Sequence, residues 1–91
     1  MILSTKQLKE FLEEHNDWAV VNERLTKKFK FKDFTQAFGF MTQVAIISEA
    51  MDHHPEWLNI YNSVDINLIT HSEGGITNLD TELAFKIDSI K

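Results

Sequence analysis

Apolar residues recur with a helical period at the start of the chain. Ser4 and Gln7 have the three-residue spacing of a capping box. The apolar positions behind this pair share one helical face: Leu8, Phe11 and Leu12. The opposite face is charged, so the pattern predicts an amphipathic helix that ends near residues 15–16.

Beyond this helix, apolar residues recur at every second position, which is typical of half-buried strands. Residues 18–21 and 25–31 predict two strands joined by a turn at residues 22–24. Lys27 falls on the apolar side of the second strand and breaks the alternation. We nevertheless predict a hairpin here.

The longest apolar stretch follows, from Asp33 to about His53. Asp33 and Gln36 repeat the capping-box spacing. The predicted apolar stripe consists of Phe34, Ala37, Phe38, Met41, Val44, Ala45, Ser48 and Met51. The remaining circumference is also mostly apolar, and no charged residue occurs between Asp33 and Glu49. Because such a helix is buried nearly all round, we expect one of its faces to meet the same helix of another subunit.

A second hairpin and a last helix complete the pattern. Residues 57–61 and 64–70 predict strands on either side of a turn at residues 62–63. Thr77 and Asp80 have the spacing of a cap for the final helix. The resulting order is α-β-β-α-β-β-α. It predicts an α+β fold in which a four-stranded antiparallel sheet carries three helices on one face.

Length and composition narrow the class of protein. The chain has 91 residues, which favours a single domain over residues 1–91. It contains no cysteine, which excludes disulfides and thiolate metal sites. The net charge of −5 argues against a nucleic-acid partner. The apolar runs are too short for a signal peptide or a membrane span, so we expect a cytoplasmic protein with no membrane partner.

The candidate chemistry centres on two adjacent imidazoles, His53 and His54, followed by Pro55. Histidine has an unperturbed pKa of about 6.5, which suits proton transfer near neutral pH. Pro55 ends the preceding helix at this point. If the helix runs on to His53, Glu49 lies one turn before it and supports its ring. An ordinary exposed ion pair at a helix end has the same spacing.

A metal site is an alternative for the histidines. With His71, the pair His53 and His54 makes a set of three imidazoles, as in some catalytic zinc sites. No helical His-x-x-x-His spacing supports zinc binding here.

Three further residues have both a structural and a functional interpretation. Asp80 stands where a helix cap needs an acid, and a carboxylate has enough acceptor positions to bind an imidazole as well. Trp57 and Tyr61 have the even spacing of residues on one face of a strand. They are either core aromatics or a flat wall for a planar heterocycle.

The segment from Glu49 to Asp80 resembles the pterin-4a-carbinolamine dehydratases, also known as dimerisation cofactors of a homeodomain transcription factor. The pattern of that family is an acidic, Lys or His residue, then His-His-Pro, an aromatic residue, His and Asp. The matching residues are Glu49, His53, His54, Pro55, Tyr61, His71 and Asp80. Thr70, directly before His71, also agrees. Spaced matches of mixed chemistry are more specific than a single dipeptide.

The resemblance implies dehydration of a 4a-hydroxytetrahydropterin, such as 4a-hydroxytetrahydrobiopterin, to the quinonoid dihydropterin in tetrahydrobiopterin recycling. It implies no metal and no cofactor. His53 and His71 would be acid and base, and Asp80 would hold an imidazole tautomer. The implied catalytic set is His53, His71, His54 and Asp80. The implied substrate-binding set is His54, Glu49, Trp57 and Thr70.

The resemblance also implies a homo-oligomer, a dimer or tetramer formed through the 33–53 helix and the sheet edges. Ile46→Asp or Ile47→Asp should then weaken assembly. Animal relatives use the helical surface to bridge dimers of a transcription factor. A non-catalytic pterin-binding or coactivator-like module is therefore the alternative to an enzyme.

Overall fold

The computed structural model describes residues 1–90. Its elements are α1 (Thr5–Glu14), β1 (Ala19–Val21), β2 (Arg24–Lys30), α2 (Phe34–Met51), β3 (Glu56–Ile60), β4 (Ser63–Leu68) and α3 (Asn78–Asp88). The predicted element order and the α+β class are confirmed. Within residues 1–90, every helix is too short or too polar to cross a bilayer.

The four strands form one antiparallel sheet in the order β1-β2-β4-β3. Along β4, Val64, Ile66 and Leu68 are fully buried in the core, as their alternation predicted. Asp65 and Asn67, which have the other parity, lie on the outer face. The three helices cover the inner face, and β1 and β3 form the two edges of the sheet.

Two helices begin with the capping boxes that their sequences predicted. The Ser4 hydroxyl accepts a hydrogen bond from the Gln7 N–H, and the Gln7 side chain accepts one from the Ser4 N–H. Thr77 and Asp80 make the same reciprocal pair at the start of α3. Each box satisfies N–H groups that have no partner inside the helix.

The hairpin turns depend on residues with positive φ. Asn22 and Glu23 join β1 to β2 with φ values of 52° and 64°. The second turn lies at residues 61–62, one residue earlier than predicted, because Tyr61 takes φ 51° and Ser63 already belongs to β4. Tyr61 is therefore outside the strand, and the prediction that it shares a strand face with Trp57 is wrong.

The start of α2 has half of its predicted capping box. The Asp33 carboxylate accepts from the Gln36 N–H at 2.9 Å. The Gln36 side chain instead accepts from the N–H of Lys32 at 3.2 Å. Asp33 is the N-cap all the same, so the helix starts where predicted.

The buried stripe of α2 is rotated from the predicted one. The buried residues are Ala37, Phe40, Val44 and Ser48. Phe34 and Phe38, which the prediction placed in the stripe, are 49% and 55% exposed, and Ile46 is 66% exposed. A helix that is apolar on almost every side has no polar face to define its phase, so the period could not show which side meets the sheet.

Lys27, which breaks the alternation of β2, has its own partners. Its ammonium lies 2.8 Å from Asp88 Oδ1 and 4.7 Å from the centre of the Phe29 ring. The indole N–H of Trp18 donates to the other oxygen of Asp88 at 2.8 Å. A lysine on the core side of the strand is thus neutralised at the end of α3, while its stem covers aromatic surface.

Candidate active site

The end of α2 sets the directions of His53 and His54. Asp52 takes a left-handed conformation (φ 53°, ψ 41°) and closes the helix. The N–H groups of Asp52 and His53 then donate to the carbonyls of Glu49 and Ser48 at 3.2 and 3.1 Å. The prediction that the helix reaches His53 is wrong. Beyond the turn, His53 is 8% exposed, whereas His54 faces solvent.

His53 is paired with a buried carboxylate. Its Nε2 lies 2.6 Å from Oδ1 of Asp80, whose residue exposure is 0%. The other oxygen, Oδ2, accepts from the Thr77 N–H and from the Thr70 hydroxyl, both at 2.8 Å. Because an ionised carboxylate only accepts hydrogen bonds, the His53 Nε2–H donates, and Nδ1 is the nitrogen left for another partner.

The hydroxyls beside Asp80 form an ordered chain of donors. The Thr77 hydroxyl accepts from the Leu79 N–H at 3.2 Å. It donates a hydrogen bond to the Thr70 hydroxyl at 2.8 Å, because the Thr70 hydroxyl uses its own hydrogen to donate to Asp80. Hydrogen bonds to the ionised form offset the cost of burying a carboxylate. Asp80 therefore fills both interpretations from the sequence: it caps α3 and binds an imidazole.

His54 has an exposed acidic partner. Its Nε2 lies 2.8 Å from Oε1 of Glu49, and the two side chains are 55% and 82% exposed. The expectation that Glu49 supports His53 is therefore wrong. It assumed a continuous helix, whereas the left-handed Asp52 turns His53 inward and brings His54 towards Glu49.

His71 also binds a carboxylate, that of Glu56 on the edge strand β3. The distance from His71 Nε2 to Glu56 Oε2 is 2.9 Å. Arg24 donates to the same carboxylate, from Nε to Oε1 at 2.6 Å and from Nη2 to Oε2 at 3.4 Å. The hydrogen bond from Arg24, and secondarily that from His71, lower the pKa of Glu56 below its usual range.

Sequence reasoning missed Glu56. The signal lay in strand parity, which needs the pairing of β4 both with β3, its hairpin partner, and with β2, which lies far away in the chain. Glu56 is paired with Asn67 on β4, and Asn67 with Thr26 on β2, so these residues share the outer face with Arg24. Inward and outward positions continue to alternate beyond β4: Thr70 points to Asp80 and His71 points to Glu56.

The other two proposed substrate-binding residues are less accessible. Trp57 is half-buried on the inner face of β3, where it packs against the core. Thr70 is 6% exposed, and its hydroxyl is engaged by Asp80 and Thr77. Their contact with a ligand stays a prediction.

No arrangement of three or more His, Asp or Glu side chains in residues 1–90 is suited to hold a metal ion. A cavity of about 720 Å³ lies between β2, α2 and the end of α3, beside Lys27, Phe40 and Ile87. None of the predicted site residues lines it. His53 and Asp80 are instead buried beyond the end of α2, and His54 and His71 are exposed.

The arrangement suits proton transfer. Three imidazoles are each bound through Nε2 to a carboxylate: His53 to Asp80, His54 to Glu49 and His71 to Glu56. The carboxylate selects the tautomer and orients the ring, so that Nδ1 is the nitrogen available to accept or deliver a proton. His53 has the most rigid support, because Asp80 is buried and bound by three donors.

Comparisons with known proteins identify relatives along nearly the whole chain. The profile of the family described as pterin 4 alpha carbinolamine dehydratase matches residues 1–90. A protein of Prochlorococcus marinus strain NATL2A is 49% identical over 89 residues, covering 98% of this chain and 94% of its own length. A protein of Solibacter usitatus is 50% identical over 88 residues, covering 97% and 93%. Both are provisionally named as pterin-4-alpha-carbinolamine dehydratases.

Two solved structures share the fold. A transcriptional coactivator/pterin dehydratase from Brucella melitensis superposes with a TM-score of 0.94 at 47% identity, covering 98% of this chain and 97% of that one. A pterin dehydratase-like protein identified as a RuBisCO assembly factor in the alpha-carboxysome gives a TM-score of 0.65 at 23% identity, covering 79% and 83%. The second likeness concerns the fold alone.

Proposed function

The chain belongs to the pterin-4-alpha-carbinolamine dehydratase family, and we propose that it dehydrates a 4a-hydroxytetrahydropterin, such as 4a-hydroxytetrahydrobiopterin. The products are the quinonoid dihydropterin and water. The observation that carries the proposal is the buried pair of His53 and Asp80, with His71 one residue beyond Thr70, which binds the same carboxylate.

The chemistry needs one acid and one base. The C4a–O bond breaks and the hydroxyl leaves as water after it receives a proton, while a base removes a proton from the ring nitrogen that becomes the imine. No electrons are exchanged with another molecule. Imidazoles suit both transfers at neutral pH, because their pKa lies near the working pH. We assign these transfers to His53 and His71.

The remaining site residues have supporting roles in this proposal. Asp80 holds the His53 tautomer and stabilises the imidazolium when it forms. His54, oriented by Glu49, binds the pterin at the exposed side of the site and belongs to the catalytic set. Trp57 supplies a flat surface for the bicyclic ring. Thr70, next to His71, belongs to the substrate-binding set.

The test is to generate the 4a-carbinolamine and follow its ultraviolet change with and without the protein. We expect wild-type protein to accelerate the change, and His53→Ala or His71→Ala to lose on the order of 10²- to 10⁴-fold of the catalysed rate, the usual contribution of a general acid or base. His15→Ala is the matched control, since His15 stacks on Phe11 at the end of α1 and has no role in the site. A wild-type rate equal to that of buffer would reject the proposal.

We propose that the protein works as a homo-oligomer in the cytoplasm, in tetrahydrobiopterin recycling downstream of aromatic hydroxylation. The outer surface of α2 supports assembly, because Phe34, Phe38 and Ile46 are exposed along it. The free edge strand β3 adds exposed Leu58 and Ile60. A second copy of the chain is the occupant that we propose for these surfaces, as a dimer or a tetramer.

The exposed surface of α2 also favours a second candidate function, that of a pterin-binding or coactivator-like interaction module. The Brucella neighbour carries both descriptions in its name. Trp57 fluorescence separates the candidates in combination with the assay. Quenching by a tetrahydropterin without any acceleration of dehydration would favour the module, whereas quenching with acceleration favours the enzyme.

A further inference from the structure

The carboxylate of Glu56 binds one of the site histidines, His71, a contact that the sequence did not predict. It stands on the edge strand β3, directly after Pro55, and accepts from His71 Nε2 at 2.9 Å. Its side chain is 41% exposed and that of His71 is 68% exposed. A surface imidazole without such a partner rotates freely and samples both tautomers, so this contact decides how His71 is presented.

Glu56 is itself held from the opposite side. Arg24 reaches it from β2 across the end of β4, with Nε 2.6 Å from Oε1. A second donor of the same guanidinium, Nη1, binds the carbonyl of Asn22 at 2.9 Å in the turn before β2. The planar guanidinium binds a carboxylate in a fixed plane, which lysine does not do. The backbone turn thus fixes Arg24, Arg24 fixes Glu56, and Glu56 fixes His71.

The arrangement has the same form as the one around His53. In both cases Nε2 of the ring binds a carboxylate that has further donors on it: Thr70 and Thr77 for Asp80, and Arg24 for Glu56. Exposed ion pairs contribute little to stability. The main consequence of the Arg24–Glu56–His71 chain is therefore the orientation of the ring.

We propose that Glu56 is a positioning residue for His71: it holds the Nε2–H tautomer and directs Nδ1 towards the substrate, and Arg24 fixes its carboxylate. This inference rests on the proposed function for its effect on catalysis. The effect on the ring itself is independent of any activity.

The first test is a double-mutant cycle in the dehydration assay. Glu56→Ala should lower kcat on the order of 10-fold with KM within about 2-fold, a part of what a general acid or base contributes. In a His71→Ala background the same change should cost less than about 2-fold, because residues that act as a unit are not additive. Equal losses in both backgrounds would overturn the proposal.

Two further variants sharpen the test. In Glu56→Gln, Arg24 occupies the one remaining acceptor oxygen and the NH₂ group faces His71, so kcat should fall at least as far as in Glu56→Ala. Glu82→Ala removes an acid from another exposed ion pair, that with Lys86 at 3.6 Å, and should keep the wild-type rate. A Glu56→Gln rate equal to that of the wild type would contradict a role as the acceptor that sets the tautomer.

The second test is ¹⁵N NMR of the histidine side chains, with the His71 signals assigned by comparison with His71→Gln. We expect a protonated Nε2 and an unprotonated Nδ1 in the neutral ring of the wild type, and averaging of the two tautomers in Glu56→Ala. Identical His71 spectra in both proteins would overturn the proposal. If the wild type failed to accelerate dehydration, the proposed function would fall, and this measurement would still decide the pairing of Glu56 with His71.

Discussion

At the scale of single residues, Asp80 has two compatible roles: it caps α3 and it accepts a hydrogen bond from His53. Its carboxylate is fully buried and accepts from His53, Thr70 and Thr77. The Thr77 N–H fixes Oδ2 as part of the helix cap, so Oδ1 has a defined direction towards the imidazole. A helix start thus places a charged acceptor within hydrogen-bond distance of His53, more rigidly than a loop would.

Asp80→Asn tests what that charge does. The amide can keep the bond from the Thr77 N–H, but its NH₂ group then faces His53 and favours the opposite tautomer. We expect kcat for dehydration to fall on the order of 10²- to 10³-fold, as for other His partners that set a tautomer, with the fold retained by circular dichroism. Asp88→Asn in the same helix is the control. A rate within 3-fold of wild type would show that the tautomer does not matter.

At the scale of elements, the left-handed turn at Asp52 separates the two imidazoles. Aspartate tolerates positive φ less well than asparagine, and its charge lies at the negative end of the helix dipole. Asp52→Asn should therefore raise the free energy of unfolding by about 0.5–1 kcal/mol, measured by urea denaturation. Asp17→Asn removes the same charge from an exposed position outside α2. It should change the free energy of unfolding by less than about 0.5 kcal/mol. An equal gain in both variants would assign the effect to net charge.

The link between β2 and the edge strand β3 should depend on pH. The hydrogen bond from Arg24 lowers the pKa of Glu56 below the ordinary value of a glutamate, about 4.3. Glu56 therefore stabilises the fold above the ordinary pKa of a glutamate, and this contribution is lost as pH falls through the lower folded-state pKa. Because the pair is exposed, wild type and Glu56→Gln should differ only slightly in urea midpoint at pH 7 and converge towards pH 3, with Glu82→Gln as the control. A difference that persisted at pH 3 would contradict this linkage.

The elements themselves followed from local signals. Caps at Ser4, Asp33 and Thr77 and the alternation along β4 are short-range patterns, and the structure confirms them. The side of α2 that packs on the sheet could not be predicted in this way. Apolar residues occur on every side of the helix, so their spacing does not single out one buried face. The partners of His53 and His54 depended on the left-handed Asp52, a conformation that the Asp–His–His sequence does not specify.

Long-range pairing explains the rest of what the sequence left open. Asp80 was accessible to prediction because the family pattern includes it. Glu56 comes near His71 through the β3–β4 hairpin, but Arg24 joins them through the pairing of β2 with β4, which lie far apart in the chain. No local spacing encodes that long-range pairing.

At the scale of the whole molecule, the two faces of α2 have different surroundings. Ala37, Phe40 and Val44 are buried against the sheet, while Phe38 and Ile46 are more than half exposed. An exposed apolar surface on a helix is typical of an interface between subunits. A charged residue should therefore affect assembly on the exposed face of this helix and folding on its buried face.

Ile46→Asp and Ile47→Asp form a matched pair that separates assembly from folding. Ile46 is 66% exposed, whereas Ile47 packs against the core. A charge at position 46 should reduce the molar mass measured by light scattering towards that of one chain, with the circular dichroism spectrum unchanged. A charge at position 47 should instead lower the free energy of unfolding of the subunit by about 1–3 kcal/mol, because it places an unpaired carboxylate at a half-buried position against the core. An Ile46→Asp protein with the wild-type molar mass would exclude this surface from the interface.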